Sequence, residues 1–409
     1  MRQLFRLLLP LVPWAMLSVA VWRKITGAEP PAALRERLGH IAAPQAPTLW
    51  LHGASNGELT SARWVIEALL VARPTLCILV TCNTASARAM VQAWALPRVT
   101  AAFAPLDLRG PLVGLLTLWQ PKALITVEGE IYPRRFAICA AAGVPIALIG
   151  ARMSDRSYRG WVTLQPVMAK ALAAVRMASA QDAASADRLR ALGLPPPASR
   201  AICDLKAVAI NRLAPQPAFG PDAARATTLL AASTHEGEEA ALLSAFAAQS
   251  QFTRLILAPR HPRRADAVAG LIAAQGLTFR RRSTGAMPDN TPVFLADTMG
   301  EMDLWYARAG ATFVGGSFVP RGGHTPWEPA RFGSAILHGP KVQNFAGPYQ
   351  ALDAAGGAVA VASPDALAVA LNRMNFSRQS DLSGAAAQIL RASGHGDGLI
   401  DDILMACGL

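Results

Sequence analysis

From Thr48 onward the chain repeats one pattern: a short apolar run, a break rich in glycine or polar residues, then a stretch with helical spacing. The first set of apolar runs lies at 48–52, 77–81, 123–127, 145–149 and 176–180, separated by helical stretches such as 59–72, 134–142 and 182–191. A second set follows at 227–232, 254–258, 293–296, 311–314 and 334–338. Strands that alternate with helices build parallel sheets. The most proline-rich tract, from Gly193-Leu194-Pro195-Pro196-Pro197 to Gln216-Pro217, interrupts the series. The expected fold is therefore α/β, with two Rossmann-like doubly wound domains, 25–212 and 213–409, facing each other across a cleft. Open parallel sheets bind ligands beyond the carboxyl ends of their strands, so the loops at those ends carry the chemistry.

Those loops are richer in polar residues and glycine than a connection requires. Thr48-Leu49-Trp50-Leu51-His52 breaks into Gly53-Ala54-Ser55-Asn56-Gly57-Glu58 before a helix. Taken alone, this spacing leaves two roles for Glu58. It is either a first-turn acid favoured by the helix dipole, worth about 0.3–1 kcal/mol, or a proton acceptor, with Ser55 and Gly57 shaping the turn. Val127-Glu128-Gly129-Glu130 places two more carboxylates past another strand. Pro259-Arg260-His261-Pro262-Arg263-Arg264 is a dense cationic turn, and Gly315-Gly316-Ser317 follows a third strand. Paired glycines let backbone amides approach a phosphate, and a helix N-terminus adds partial positive charge. Arg321-Gly322-Gly323-His324-Thr325-Pro326-Trp327-Glu328 opens the next helix, with Glu328 in its first turn and placed to hold a ribose hydroxyl. His235, in Ser233-Thr234-His235-Glu236-Gly237-Glu238, stands beside a capping Ser or Thr.

The net charge of +12 favours an anionic membrane surface or phosphorylated substrates over nucleic acid, because the basic residues are dispersed and no Lys/Arg block is interleaved with aromatics. Cys77, Cys82, Cys139, Cys203 and Cys407 are odd in number and lack metal-ligand spacing, and the seven histidines are scattered. Neither a disulfide framework nor a zinc site is expected. At the N-terminus, Arg2 and Arg6 precede an uncharged apolar stretch, Leu7 to Trp22, followed by Arg23, Lys24, Arg35 and Arg37. Its helical length of about 24 Å is short for a hydrocarbon core of about 30 Å. Residues 1–24 are read as a membrane anchor or interfacial helix rather than a cleaved signal, and the charge balance keeps the rest of the chain cytoplasmic.

The motifs together resemble the 3-deoxy-D-manno-octulosonic acid (Kdo) transferases of lipopolysaccharide assembly. The resemblance runs from Arg35-Glu36-Arg37-Leu38-Gly39 to Gly339-Pro340-Lys341-Val342-Gln343-Asn344-Phe345. It includes Gly150-Ala151-Arg152-Met153-Ser154-Asp155, Ala258-Pro259-Arg260-His261 and Asp297-Thr298-Met299-Gly300-Glu301. It implies a membrane-anchored enzyme of glycosyltransferase B architecture at the cytoplasmic face of the inner membrane. The implied reaction moves Kdo from CMP-Kdo to a lipid A precursor with inversion, and needs no cofactor. The resemblance gives Glu58 the role of general base and Glu128 that of a second acidic residue, with Glu130 behind it. Lys206, in Cys203-Asp204-Leu205-Lys206, stabilises the leaving group. Pro259, Arg260, Met299, Gly300, Glu301, Thr325, Pro326, Trp327 and Glu328 correspond to the CMP-binding loops. Arg260 or Arg152 is placed to pair with the Kdo carboxylate. The family's usual Gly-Gly-His-Asn-Pro-Leu-Glu reads Gly322-Gly323-His324-Thr325-Pro326-Trp327-Glu328, and its Gly-Asn-Leu-Lys reads Cys203-Asp204-Leu205-Lys206, bringing an acid near the leaving group.

Overall fold

The computed structural model describes residues 30, 32–42, 46–213 and 224–409. The anchor expected at 1–24 lies outside them. Among the described residues, no helix is long and apolar enough to cross a membrane.

The described chain forms two α/β units. The first holds β1 (Thr48–His52), β2 (Cys77–Cys82), β3 (Val99–Phe103), β4 (Leu124–Val127), β5 (Ile146–Ala151) and β6 (Val175–Ala180), all parallel, in the order β3-β2-β1-β4-β5-β6. Every residue of β1 and β4 is buried, as a central strand covered by helices on both faces demands. Leu49 and Leu51 face one core with Val65, Leu69 and Val80; Trp50 faces the other with Leu148 and Phe136.

The second unit holds β7 (Thr228–Thr234), β8 (Arg254–Pro259), β9 (Phe279–Arg281), β10 (Val293–Leu295), β11 (Ala311–Val314), β12 (Ala335–His338) and β13 (Ala358–Ala360). They are again parallel, in the order β13-β12-β11-β7-β8-β10-β9.

Two expectations need correction. The apolar runs did not reveal β3, β9 and β13, and all three are edge strands. An edge strand is paired on one side only and needs no continuous apolar run; β3 reads Val-Thr-Ala-Ala-Phe, and β9 contains two arginines. The expected boundary of 213–409 also fails at its far end, because Gly396–Leu409 belongs to the first unit. The helix Leu399–Cys407 inserts Leu399, Ile403 and Cys407 into the core that contains Trp64 and Val208, and Asp402 pairs with Arg200 at 3.1 Å. Three apolar residues at helical spacing drive that return.

Candidate active site

In each sheet the strand order reverses beside the unit's first strand, between β1 and β4 and between β7 and β11. A doubly wound sheet opens a crevice at such a switch point. In the first unit, β1 turns through Gly53-Ala54-Ser55 into the helix Asn56–Ala72. Ser55 caps that helix, its Oγ accepting the Glu58 N–H at 3.4 Å, and Glu58 Oε2 accepts the Ala54 N–H at 2.6 Å. This is a capping box whose acid reaches one residue further back than usual. A helix N-terminus on its own favours the ionised acid. Burial prevails, helped by the negative charges of Glu130 and Glu128, and pushes the Glu58 carboxyl from 4.5 up to about 7 against the opposing Ala54 hydrogen bond.

Glu128, just past β4, is held in the left-handed region at φ 53°, a conformation costing a side-chain-bearing residue about 1–2 kcal/mol. Hydrogen bonds fix it on both sides: its N–H donates to the Ile149 carbonyl at 3.0 Å, and Arg152 N–H donates to its carbonyl at 3.2 Å. Its Oε1 lies 2.7 Å from Lys206 Nζ. Lys206 opens the helix Leu205–Arg212. Asp204 caps that helix, its Oδ1 accepting the N–H groups of Lys206 and Ala207 at 2.9 and 3.2 Å. Asp204, expected to bring an acid near the leaving group, thus stands beside Lys206 with its carboxylate engaged at the helix end.

Glu130 belongs to a buried chain of hydrogen bonds that sequence reasoning missed. Trp50 Nε1 donates to Thr81 Oγ1 at 2.8 Å, and Thr81 Oγ1 lies 2.9 Å from His52 Nδ1. His52 Nε2 is 3.2 Å from Glu130 Oε2, which also accepts the Tyr132 hydroxyl at 2.7 Å. An ionised carboxylate only accepts, so Nε2 carries the His52 proton and Nδ1 receives the threonine hydroxyl. Burial, reinforced by the nearby Arg135 charge, pushes His52 down to about 4 and keeps it neutral. The buried Arg135 guanidinium sits 4.3 Å from the Tyr132 ring centroid and 5.2 Å from that of Trp50. For Glu130, burial alone would raise the carboxyl. The His52 and Tyr132 hydrogen bonds and the Arg135 charge outweigh burial and hold it below the usual value. One acid is thus held ionised while its neighbour Glu58 is pushed towards neutrality, the separation that distinguishes a charge-holding carboxylate from a proton-transferring one. The sequence signal for this network was the polar pair His52 and Thr81 near the carboxyl ends of two largely apolar strands.

The second unit uses its switch point differently. After β7, Glu238 is fully buried and accepts four backbone N–H groups: His235 at 2.9 Å, Gly316 at 2.7 Å, Ser317 at 3.0 Å and Phe318 at 2.9 Å. Gly315 lets the loops close, since a Cβ there would lie 2.6 Å from the Ser233 carbonyl oxygen. The amides of Gly316 and Ser317, expected to cradle a phosphate, are therefore taken by an internal carboxylate. Trp327, expected in a ligand loop, is 1% exposed and packs in the interior, with its N–H donating to Thr325 Oγ1 at 3.3 Å; the neighbouring Pro326 is also buried. Glu328 accepts the Tyr306 hydroxyl at 3.0 Å, and burial raises its carboxyl. Glu301 is gripped by Arg282, whose Nη2 lies 2.7 Å from Oε1, and by Thr298; the adjoining Met299 is exposed and Gly300 has φ 85°. Asn344 Nδ2 donates to the Arg321 carbonyl at 2.8 Å beneath Gly322. Pro259 ends β8, and Arg260 projects from it into solvent next to His261, His235 and His324. Among the described residues, no group of His, Cys, Asp and Glu side chains is arranged to hold a metal ion.

The sequence profile of a family described as 3-deoxy-D-manno-octulosonic-acid transferase (kdotransferase) matches residues 32–209. A 3-deoxy-D-manno-octulosonic acid transferase of Bordetella pertussis is 33% identical over 356 residues, 82% of this chain and 81% of the relative. The Haemophilus influenzae protein of the same description is 30% identical over 355 residues, 84% of this chain and 82% of the relative. Among solved structures, an Anabaena protein crystallised with UDP and glucose aligns over 88% of this chain and 99% of its own, with a TM-score of 0.58 and 10% identity. At that identity the likeness speaks to the fold alone.

Proposed function

Because the chain belongs to the 3-deoxy-D-manno-octulosonic acid transferase family and is a glycosyltransferase, we propose that it moves Kdo from CMP-Kdo to a lipid A precursor, with Glu58 as the general base. The observation that carries this reading is the pair of environments at the β1–β4 switch point. Glu58 titrates at about 7, so near neutral pH it is partly ionised and still basic enough to take a proton. In the proposed step the acceptor hydroxyl gives its proton to Glu58 as its oxygen forms a bond to the anomeric carbon of Kdo. The bond from that carbon to the phosphate oxygen breaks, and CMP leaves with the electron pair. A single displacement inverts the anomeric centre.

The ion pair of Glu128 and Lys206 sets a fixed dipole beside this base. Glu128 is placed to stabilise positive character at the anomeric carbon, and Lys206 to meet negative charge developing on the leaving group. Arg260, Glu328 and the loops around Glu301 and Thr325 are the proposed nucleotide site on the second unit, while the first unit takes the acceptor. The basic chain and the charges flanking residues 7–22 suit a reaction at the cytoplasmic face of an anionic membrane.

The direct test incubates the purified chain with CMP-Kdo and a tetraacylated lipid A precursor and follows both products. Release of CMP together with a lipid mass gain of whole Kdo units is expected. Release of CMP without lipid product would contradict the proposed acceptor, and absence of both would contradict the donor.

A further inference from the structure

His235 and His324, in the loops after β7 and β11, are joined nitrogen to nitrogen, with Nε2 atoms 2.9 Å apart. Their ring planes differ by 5° and their centroids are 5.2 Å apart. A centroid spacing that long with so short a nitrogen contact means that the rings lie edge to edge in one plane, joined head to head, rather than face on face. One Nε2 must then carry a hydrogen and the other must accept it. The pair as a whole has room for one more proton, at Nδ1 of the donor ring; two imidazolium rings would place hydrogen against hydrogen.

The surroundings explain why that proton is absent in the free protein. His261 lies edge-on to His235 at 5.9 Å between centroids, and Arg260 and Arg321 stand close to the pair. Neither arginine side chain has a carboxylate partner among the described residues. Arg263 and Arg264 add their charge around His261, and Glu239 is the acid that faces His235, although Arg264 engages it. Burial and this unbalanced positive charge push His324 down to about 4 and lower His235 as well. The Glu238 carboxylate is already spent on backbone amides, and Glu328, the acid that faces Arg260, accepts the Tyr306 hydroxyl and has its carboxyl raised by burial.

We propose that the His235–His324 pair, with Arg260 and Arg321, is the seat of a phosphate-class anion and takes up one proton when that anion binds. For the nucleotide this rests on the reading given under Proposed function: the anion is then the phosphate of the cytidine nucleotide. The pair's role is to convert a site that repels a proton when empty into one with an added N–H donor when filled. A fixed-charge site built from arginines alone would bind without proton exchange.

The experiment measures protons absorbed by the full chain in a pH-stat at mildly acidic pH, above the value of about 4 to which His324 is pushed. The ligands are sulfate, which does not itself titrate there, and CMP. Wild type is expected to absorb about one proton per sulfate bound. The double variant His235→Gln/His324→Gln, which has no imidazole left in the pair, is expected to bind sulfate more weakly and to absorb none. The single variants, each keeping one ring, should also bind sulfate more weakly than wild type and guard against a double variant that fails to fold. For CMP, whose own phosphate titrates nearby, the expected result is a difference of about one proton between wild type and the double variant. Binding of sulfate or CMP by wild type without that proton would overturn the inference and leave the transferase reading standing. Proton-coupled sulfate binding with no affinity for CMP would support the inference and contradict the cytidylate reading. Failure to bind either would overturn both.

Discussion

Replacing Glu58 by glutamine is expected to lower kcat for Kdo transfer by about 10²–10⁴, the contribution a positioned general base makes. The isosteric amide keeps an oxygen to accept the Ala54 N–H, so the turn between β1 and its helix should hold. Stability gives an independent readout, and its sign follows from linkage. The folded-state value of about 7 lies above the ordinary 4.5, so the native chain binds the Glu58 proton more tightly than the unfolded chain does. That stabilisation is complete below about 4.5 and is lost as pH rises through 7. At pH 8 the ionised side chain therefore opposes folding. Glu58→Gln should melt no lower than wild type there while losing nearly all turnover. A variant that loses activity because it unfolds would show the opposite pairing, so melting temperature and kcat measured side by side separate the two.

The second large effect is structural and lies in the other unit. Glu238→Ala is expected to destabilise it by about 3–5 kcal/mol, because truncation leaves the amides of His235, Gly316, Ser317 and Phe318 aimed at a buried space with no acceptor. Glu238→Gln, which retains one acceptor oxygen, should fall between Ala and wild type. Denaturant unfolding monitors the loss, and hydrogen exchange at Gly316, Ser317 and Phe318 locates it: those amides should exchange much faster in the alanine variant. A loss below about 1 kcal/mol, with protection at the three amides unchanged, would mean that water replaces the carboxylate at little cost.

Glu58 and Glu238 also show how far the sequence could be read. Both are the acid of a Gly-Glu pair following the first strand of their unit, Gly57-Glu58 after β1 and Gly237-Glu238 after β7. In sequence they are near twins. In the structure one accepts a single amide and faces two other carboxylates, while the other is saturated by four amides. Their difference arises from partners 70 or more residues away, in the loops that follow neighbouring strands: Glu128 and Glu130 for one and the Gly316–Phe318 amides for the other. Local pattern carries no information about such pairings.

The central strands were legible because burial on both faces writes them as unbroken apolar runs. The edge strands β3, β9 and β13 and the returning helix Leu399–Cys407 were not, since their burial depends on what they dock against, whereas the edge strand β6 still showed as an apolar run. Likewise, Glu58, Glu128 and Lys206 were singled out from sequence, whereas the His52–Glu130–Tyr132 network required the register of β1 against β2 and β4. Trp327 shows the reverse error: its place in a ligand-binding motif suggested a contact surface, and its bulk is buried in the core instead.

The central claim is that burial and two neighbouring carboxylates turn Glu58 into a base poised near neutrality. The pH dependence of kcat/KM tests it most directly, because that profile reports the ionisation of groups in the free enzyme. The expected profile has an ascending limb that inflects at about pH 7, with activity present above it and falling tenfold per unit below, and no such limb in the residual activity of Glu58→Gln. An inflection near the ordinary carboxylate value of 4.5, or a limb at 7 that persists in the glutamine variant, would contradict it.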